Sequence, residues 1–208
     1  MGEFFYFLDI YLAGRLFIFT KDKPLSPMSF TFLLLLQILG LMLLQVTPTT
    51  LYIIISIIAI SVIHVQAEKH FPQLINEFRI IMLGVSVLVF ATLFSESLNP
   101  GFHPALEQFL EGPLQKWTTL SPLLTTESLY HASIIIAGLF LVTSEVNYLI
   151  RSVFSKFSLL PFNPASSELD SRAYNAGRII GFVERTMVFL FVLTNVYSGI
   201  GFILASKG

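Results

Sequence analysis

The chain has 208 residues, of which 54% are apolar and 12% charged, and its mean hydropathy is +0.77. Soluble domains carry about a quarter charged residues, so this composition indicates an integral membrane protein with membrane lipid as a partner. A formal net charge of −1 gives no basis for binding nucleic acid, and the absence of cysteine excludes disulfides and thiolate metal sites.

The first 20 residues are rich in phenylalanine and are interrupted by Asp9 and Arg15. They lack the basic start and the small-residue cleavage site of a signal peptide. We therefore predict an amphipathic helix over residues 1–20 that lies in the membrane interface. The alternative is a further span that begins outside the cell, which leaves every later loop on the same side.

Five apolar segments follow, each close to the length of about 20 residues that a membrane helix needs. The predicted spans lie near 28–46, 50–66, 76–95, 129–151 and 177–206. The connection between the first two spans is short, and Pro48 breaks the helix there, so we predict a hairpin between them. The third span is extended back through Arg79, whose side chain is expected to reach the headgroups. The sequence thus predicts an all-α, polytopic transmembrane bundle of about five spans in one domain.

Lysine and arginine in short flanking segments indicate the orientation, because positively charged loops stay in the cytoplasm. Three basic residues precede the first span, and four lie between the last two. Segment 96–128 instead carries one lysine against four glutamates, and its apolar residues recur near helical spacing around Trp117. We predict a cytoplasmic N-terminus, an external segment 96–128 with its own interfacial helix, a cytoplasmic loop 152–176, and residence in the cytoplasmic (inner) membrane.

Ionisable side chains within a span cost about 2.5 to 3.5 kcal/mol on insertion scales, so each requires a partner or a role. Glu145 lies inside the fourth span, with Arg151 at its cytoplasmic boundary. The predicted intramembrane ion-pair or functional residues are Glu145, Arg151, Glu184, Arg185 and Arg79. The alternatives are a purely structural ion pair at Glu145 and ordinary boundary charges at Glu184 and Arg185.

The fifth span opens with Gly-Arg-Ile-Ile-Gly-Phe-Val-Glu-Arg over residues 177–185. At about 100° per residue, Gly177, Gly181, Glu184, Asn195 and Gly199 fall on one narrow helical face. Glycines four residues apart allow a second helix backbone to approach closely. We therefore predict helix packing at Gly177, Gly181 and Gly199, with Asn195 on the polar part of this face.

The same stretch, followed by Tyr197, by residues 199–202 and by Ala205-Ser206-Lys207, resembles the C-terminal segment of an uncharacterised family of bacterial polytopic membrane proteins. The resemblance covers about 30 residues of this chain. It implies that the Gly-Glu-Arg entry and the Lys207 exit of this helix belong to a recurring unit.

The histidines offer little chemistry, since they are predicted to be divided between the two faces of the membrane. His64 and Glu68 are four residues apart on one helix and could supply two metal ligands, but a histidine satisfied by its neighbours is the commoner case. The chain contains no His-Glu-x-x-His, Gly-x-Ser-x-Gly or phosphate-binding glycine loop. We therefore expect no metal and no cofactor, and an enzyme is the less favoured class.

These features favour an oligomerising helical pore, transporter component or membrane-sensing subunit of unknown substrate. One alternative is a scaffold that recruits a soluble cytoplasmic protein through loop 152–176. The other is a membrane-embedded enzyme that acts on lipid headgroups, with Glu145 or Glu184 as the base. The ionisable residues of the predicted spans all lie toward the cytoplasm, so no charged relay is expected to cross the membrane.

Overall fold

The computed structural model describes residues 2–17, 26–106, 126–156 and 168–205, which are helical almost throughout and contain no β-strand. They form two compact units, Met1–Phe140 and Leu141–Gly208. The helices are α1 Gly2–Leu16, α2 Pro27–Leu41, α3 Pro48–His70, α4 Ile75–Leu93, α5 Thr126–Phe140, α6 Val146–Lys156, α7 Glu168–Leu193 and α8 Tyr197–Ala205. A 3-10 turn, Pro72–Leu74, precedes α4, and a π-helical turn, Leu141–Glu145, lies between α5 and α6. The predicted all-α class is confirmed.

Three helical stretches of the described residues are long and apolar enough to cross a membrane: Pro48–His70, Pro72–Leu93 and Tyr130–Phe154. A shorter apolar helix, Pro27–Leu41, occupies most of the first predicted span. Their length and composition are those of a membrane protein with transmembrane helices. The count of five spans stays a prediction.

The connection between α2 and α3 is shaped by its cap residues. Helix α2 ends at Leu41, earlier than predicted, and Thr47 caps α3 by a reciprocal pair of hydrogen bonds with Thr50. Pro48 occupies the first turn of α3, where its missing N–H costs nothing. The hairpin is also tied to a later segment, because the Gln45 N–H donates to the Gly101 oxygen at 3.1 Å.

Helix α1 packs lengthwise between its neighbours. Three contacts with α4 follow one another in reverse chain order: Phe7 with Phe90, Tyr11 with Ser86, and Arg15 with the backbone oxygen of Arg79. The two helices are therefore antiparallel and lie side by side. Phe7 and Leu12 are both 0% exposed, so apolar side chains predicted to enter the acyl boundary are instead buried within the bundle. The position of α1 relative to the membrane interface stays a prediction.

The direction of α1 fixes where its first residues lie. Phe4 contacts Phe94 at the end of α4, and Tyr6 contacts Phe102, whose segment pairs with the α2–α3 hairpin. The start of α1 and this hairpin thus occupy the same end of the first unit. This follows from the antiparallel packing, because α1 begins where α4 ends. The side of the membrane on which the N-terminus lies stays a prediction.

Two glycines allow α1 and α2 to approach closely. A Cβ atom added to Gly40 would lie 2.6 Å from Cδ1 of Ile10, and one added to Gly14 would lie 2.8 Å from Cδ2 of Leu33. The Tyr6 hydroxyl donates a hydrogen bond to the Gly40 oxygen at 3.1 Å. Any side chain larger than hydrogen at these positions would force the helices or their side chains apart.

In the second unit, two helices occupy the region of the predicted fifth span. Residues 177–206 were expected to form one helix, but α7 ends at Leu193 and α8 begins at Tyr197. Asn195 between them adopts a left-handed conformation with φ +58°, which asparagine tolerates better than most residues. The predicted single face is therefore broken, since Asn195 lies in the turn and Gly199 on the following helix.

Helix α7 also begins earlier than predicted, at Glu168, so the described end of loop 152–176 is helical. Two predictions lie outside the described residues. They are most of the external interfacial helix, including Trp117, and residues 157–167 of the predicted cytoplasmic loop.

Candidate functional site

A buried ion pair joins α3 and α4. The turn at Pro72–Leu74 reverses the chain, which brings Glu68 near the end of α3 against Arg79 in the second turn of α4. The Arg79 Nε atom donates to Glu68 Oε1 at 2.6 Å, and Nη2 donates to Oε2 at 3.4 Å. Glu68 is 0% exposed and Arg79 is 1% exposed. Such fork-shaped, charge-assisted pairs are stronger and more directional than neutral hydrogen bonds.

Two further side chains adjoin this pair. His64, one turn before Glu68, places its Nε2 atom 3.1 Å from Glu68 Oε1. Arg15 of α1 donates from Nη2 to the Arg79 backbone oxygen at 2.9 Å. We call Arg15, His64, Glu68 and Arg79 the inner charge cluster. It links α1, α3 and α4 at the end of the first unit where the predicted cytoplasmic charges lie.

A small cavity of about 20 Å³ lies beside the cluster and is lined partly by Arg15, Gln37, Ser61 and His64. A cavity of this size has room for about one water molecule. Gln37 is buried, and its Oε1 atom has no hydrogen-bond partner among the described residues. Because polar atoms line it, the cavity suits a single hydrogen-bonding molecule and is too small for a larger solute.

Arg79 is the predicted site residue that the structure places in this cluster. Its expected reach to the headgroups is wrong, because the guanidinium is buried against a carboxylate of the neighbouring helix. That carboxylate is Glu68, whereas Glu145 and Glu184 were the partners considered from the sequence. The signal that was missed is the position of Arg79, which follows the His64 and Glu68 face across a tight turn.

Glu145 ends the π-helical turn, and it is buried together with Thr143 and Ser144. Single π turns within helices are frequent at functional sites, because they displace one residue from the regular hydrogen-bonding pattern. Arg151 lies six residues further along the same stretch of helix and is partly buried. The intramembrane ion-pair or functional role of Glu145 stays a prediction.

The glycine face of α7, which contains Gly177 and Gly181, is not packed against another helix among the described residues. A Cβ atom added to Gly177 would meet nothing within 4 Å, and one added to Gly181 would meet only Nη2 of Arg185, at 3.9 Å. Glu184 and Arg185 are partly exposed on the same helix. Gly199 differs, since its added Cβ would lie 2.6 Å from Cε2 of Phe191, so it packs within its own chain.

Asp9 is a polar residue whose position the sequence did not reveal. It was assigned to an interfacial helix, yet α1 carries it into the bundle, where it is partly buried. Its Oδ1 atom is buried and has no hydrogen-bond partner within the described ranges. The one available sequence signal was a lone acidic residue in an otherwise apolar segment.

Within residues 2–17, 26–106, 126–156 and 168–205, no three histidine, aspartate or glutamate side chains converge as a metal site. Comparison of the chain with protein-family models, with curated proteins and with solved structures found no match. The resemblance of the C-terminal helix to a bacterial membrane family therefore stays a prediction, and function is argued from the chain's own residues.

Proposed function

We propose that the chain is an integral membrane subunit that assembles with further copies of itself and works as a helical pore, transporter component or membrane-sensing subunit. The observation that carries this proposal is the open glycine face of α7. Gly177 and Gly181 leave space for a helix backbone, and no described residue of the chain fills it apart from the Arg185 side chain. In lipid, close contact at small residues is a principal way for helices to associate.

The interior of the first unit supports an assembly over a single-chain pore. The inner charge cluster fills the core between α1, α3 and α4 with paired side chains, and the cavity beside it holds about 20 Å³. Opening a solute path at this level would require breaking the buried Arg79–Glu68 pair. A path between copies requires no such change.

Gly181→Leu is the direct test of this assembly. The larger side chain would occupy the space that a second helix backbone needs, so we expect the oligomer to dissociate to the monomer. Particle mass in a mild detergent, measured by native mass spectrometry or light scattering, reports the change.

Gly84→Leu is the matched control, because a Cβ atom at Gly84 of α4 also meets nothing within 4 Å. We expect this variant to keep the parent mass. A Gly181→Leu protein that keeps the parent mass as well would overturn the assembly through α7. A monomeric parent protein would overturn the proposed oligomer altogether.

We further propose that α1 is a membrane span, which makes six spans in all: α1, α2, α3, α4, the stretch Tyr130–Phe154, and α7. The antiparallel packing of α1 along α4 supports this arrangement. The end of α1 that carries Arg15 then lies with Lys69 and Arg79 on the cytoplasmic side, as the distribution of positive charge requires. The N-terminus lies outside, together with the α2–α3 hairpin.

Single-cysteine labelling tests this topology cleanly, because the chain has no native cysteine. In intact bacterial cells, a membrane-impermeant maleimide is expected to label Gly2→Cys and Ser97→Cys. Phe17→Cys and Lys69→Cys should react only after the membrane is permeabilised. Labelling of Gly2→Cys and Ser97→Cys from opposite sides would contradict α1 as a span.

A further inference from the structure

We propose that Asp9 is a proton-binding site inside the helical bundle, at the contact between α1 and α5. This inference goes beyond the proposed subunit function, although it rests on α1 being a membrane span. The ligand is the proton itself, which the carboxyl takes up and releases by forming and breaking one O–H bond. No other covalent change is involved.

The depth of Asp9 follows from the contacts on either side of it. Phe7 lies against Phe90, and the Tyr11 hydroxyl is hydrogen-bonded to Ser86 Oγ at 2.7 Å. Asp9 is therefore level with residues 86–90 of α4. At about 1.5 Å per residue this places it about 5 to 10 Å inside the end of that helix. An apolar stretch long enough to span the membrane surrounds this level.

The surroundings of the carboxyl favour its neutral form. One turn earlier along α1, Phe5 packs edge-on against Tyr130, so the contact between α1 and α5 is apolar there. The Ser133 hydroxyl of α5 is within hydrogen-bonding reach of the carboxyl and acts in the opposite direction, because it stabilises the charged form. Oδ1 is buried without a partner among the described residues. A carboxylate with a buried oxygen and no counter-ion among the described residues is costly at such a place, and binding a proton removes that cost.

The ionisable groups on the packed elements do not supply a counter-charge within the described chain. Helix α2 contains no titratable residue, and the described titratable side chains of α5 are Tyr130 and His131. Those of α4 are Glu77 and Arg79, near its opposite end. Helix α1 itself carries Glu3, Tyr6, Tyr11 and Arg15. Arg15 is six residues from Asp9, about 9 Å along the axis, and lies in the inner charge cluster.

This placement changes a conclusion drawn from the sequence. All ionisable residues of the predicted spans lay toward the cytoplasm, so no charged relay was expected to cross the membrane. With α1 in the bundle, Asp9 supplies a carboxyl from the other half of the membrane, beyond the inner charge cluster. Among the described residues, the first unit then holds Asp9 and the Glu68 that is paired with Arg79 at different depths.

Dicyclohexylcarbodiimide tests the site, because this apolar reagent reacts with protonated carboxyl groups inside membranes. The full chain is treated in lipid nanodiscs between about pH 6 and 8, and adducts are located by peptide mass mapping. We expect an adduct on Asp9 and none on Glu68, which is paired with Arg79. The labelling rate should fall by about tenfold per pH unit once the carboxyl ionises.

Asp9→Asn should lack this adduct, and Asp9→Glu should retain one at the same position, which covers the case in which the asparagine variant fails to fold. An unlabelled Asp9 in correctly folded protein would overturn the proposal. Protection by sodium ions at constant pH would also overturn it, in favour of a metal-cation site. The cysteine-labelling result separates a failure here from a failure of the α1 topology.

Discussion

Arg79→Met is expected to lower the free energy of unfolding by about 3 to 5 kcal/mol. The substitution leaves the Glu68 carboxylate fully buried without the guanidinium that donates to both of its oxygens. An uncompensated buried charge is costlier than the loss of the pair's own attraction. Unfolding of the purified protein in mixed micelles, followed by circular dichroism, measures the change.

Lys69→Met is the matched control, since Lys69 is exposed one residue after Glu68. We expect its effect to stay within about 0.5 kcal/mol. The double variant Glu68→Met with Arg79→Met should recover much of the loss, because it removes both charges together. Equal unfolding free energies for Arg79→Met and Lys69→Met would show that the inner charge cluster does not stabilise the bundle.

Gly40→Leu is expected to separate α1 from α2 and to cost about 1 to 3 kcal/mol. The new side chain would overlap Ile10, since even a Cβ atom at Gly40 comes within 2.6 Å of it. It would also strain the hydrogen bond from Tyr6 to the Gly40 oxygen. The same unfolding assay measures the loss, and Ile10→Ala in the same chain should restore part of it by providing room.

Gly84→Leu serves as the control here too, because its Cβ position is open. It should leave the unfolding free energy within about 0.5 kcal/mol of the parent. If Gly40→Leu were as stable as Gly84→Leu, α1 would not be packed against α2 as the structure shows. The proposed six-span arrangement would then lose its support.

The sequence predicted the long membrane helices well, because an apolar run of sufficient length is a local property. Helices α3 and α4 lie close to their predicted positions. The break between α2 and α3 was predicted in part, because α3 begins at Pro48 but α2 ends earlier than predicted, at Leu41. The packing of α1 could not be predicted, for a physical reason. Its Asp9 and Arg15 are typical of an interfacial helix, and only the neighbouring helices show that both can be accommodated inside a bundle.

The candidate site, too, could be predicted from the sequence only in part. The spacing of His64 and Glu68 was visible, because residues four apart share a helical face. The partner of Arg79 was not, since it depends on how the turn after α3 orients two helices. The break at Asn195 was also hidden, because no glycine or proline interrupts the apolar pattern there and a single asparagine in a left-handed conformation suffices to end α7.

The close crossing of α1 and α2 has a consequence for biosynthesis. Helix α1 has 15 residues and contains both Asp9 and Arg15, each of which opposes entry into lipid by about 2.5 to 3.5 kcal/mol. By itself, α1 would partition poorly from the translocation machinery into the lipid. In the proposed six-span arrangement, Gly40 and Gly14 allow α1 and α2 to pack closely. We therefore expect the two helices to insert into the bilayer together as a packed pair, with the more apolar α2 supplying most of the free energy of insertion.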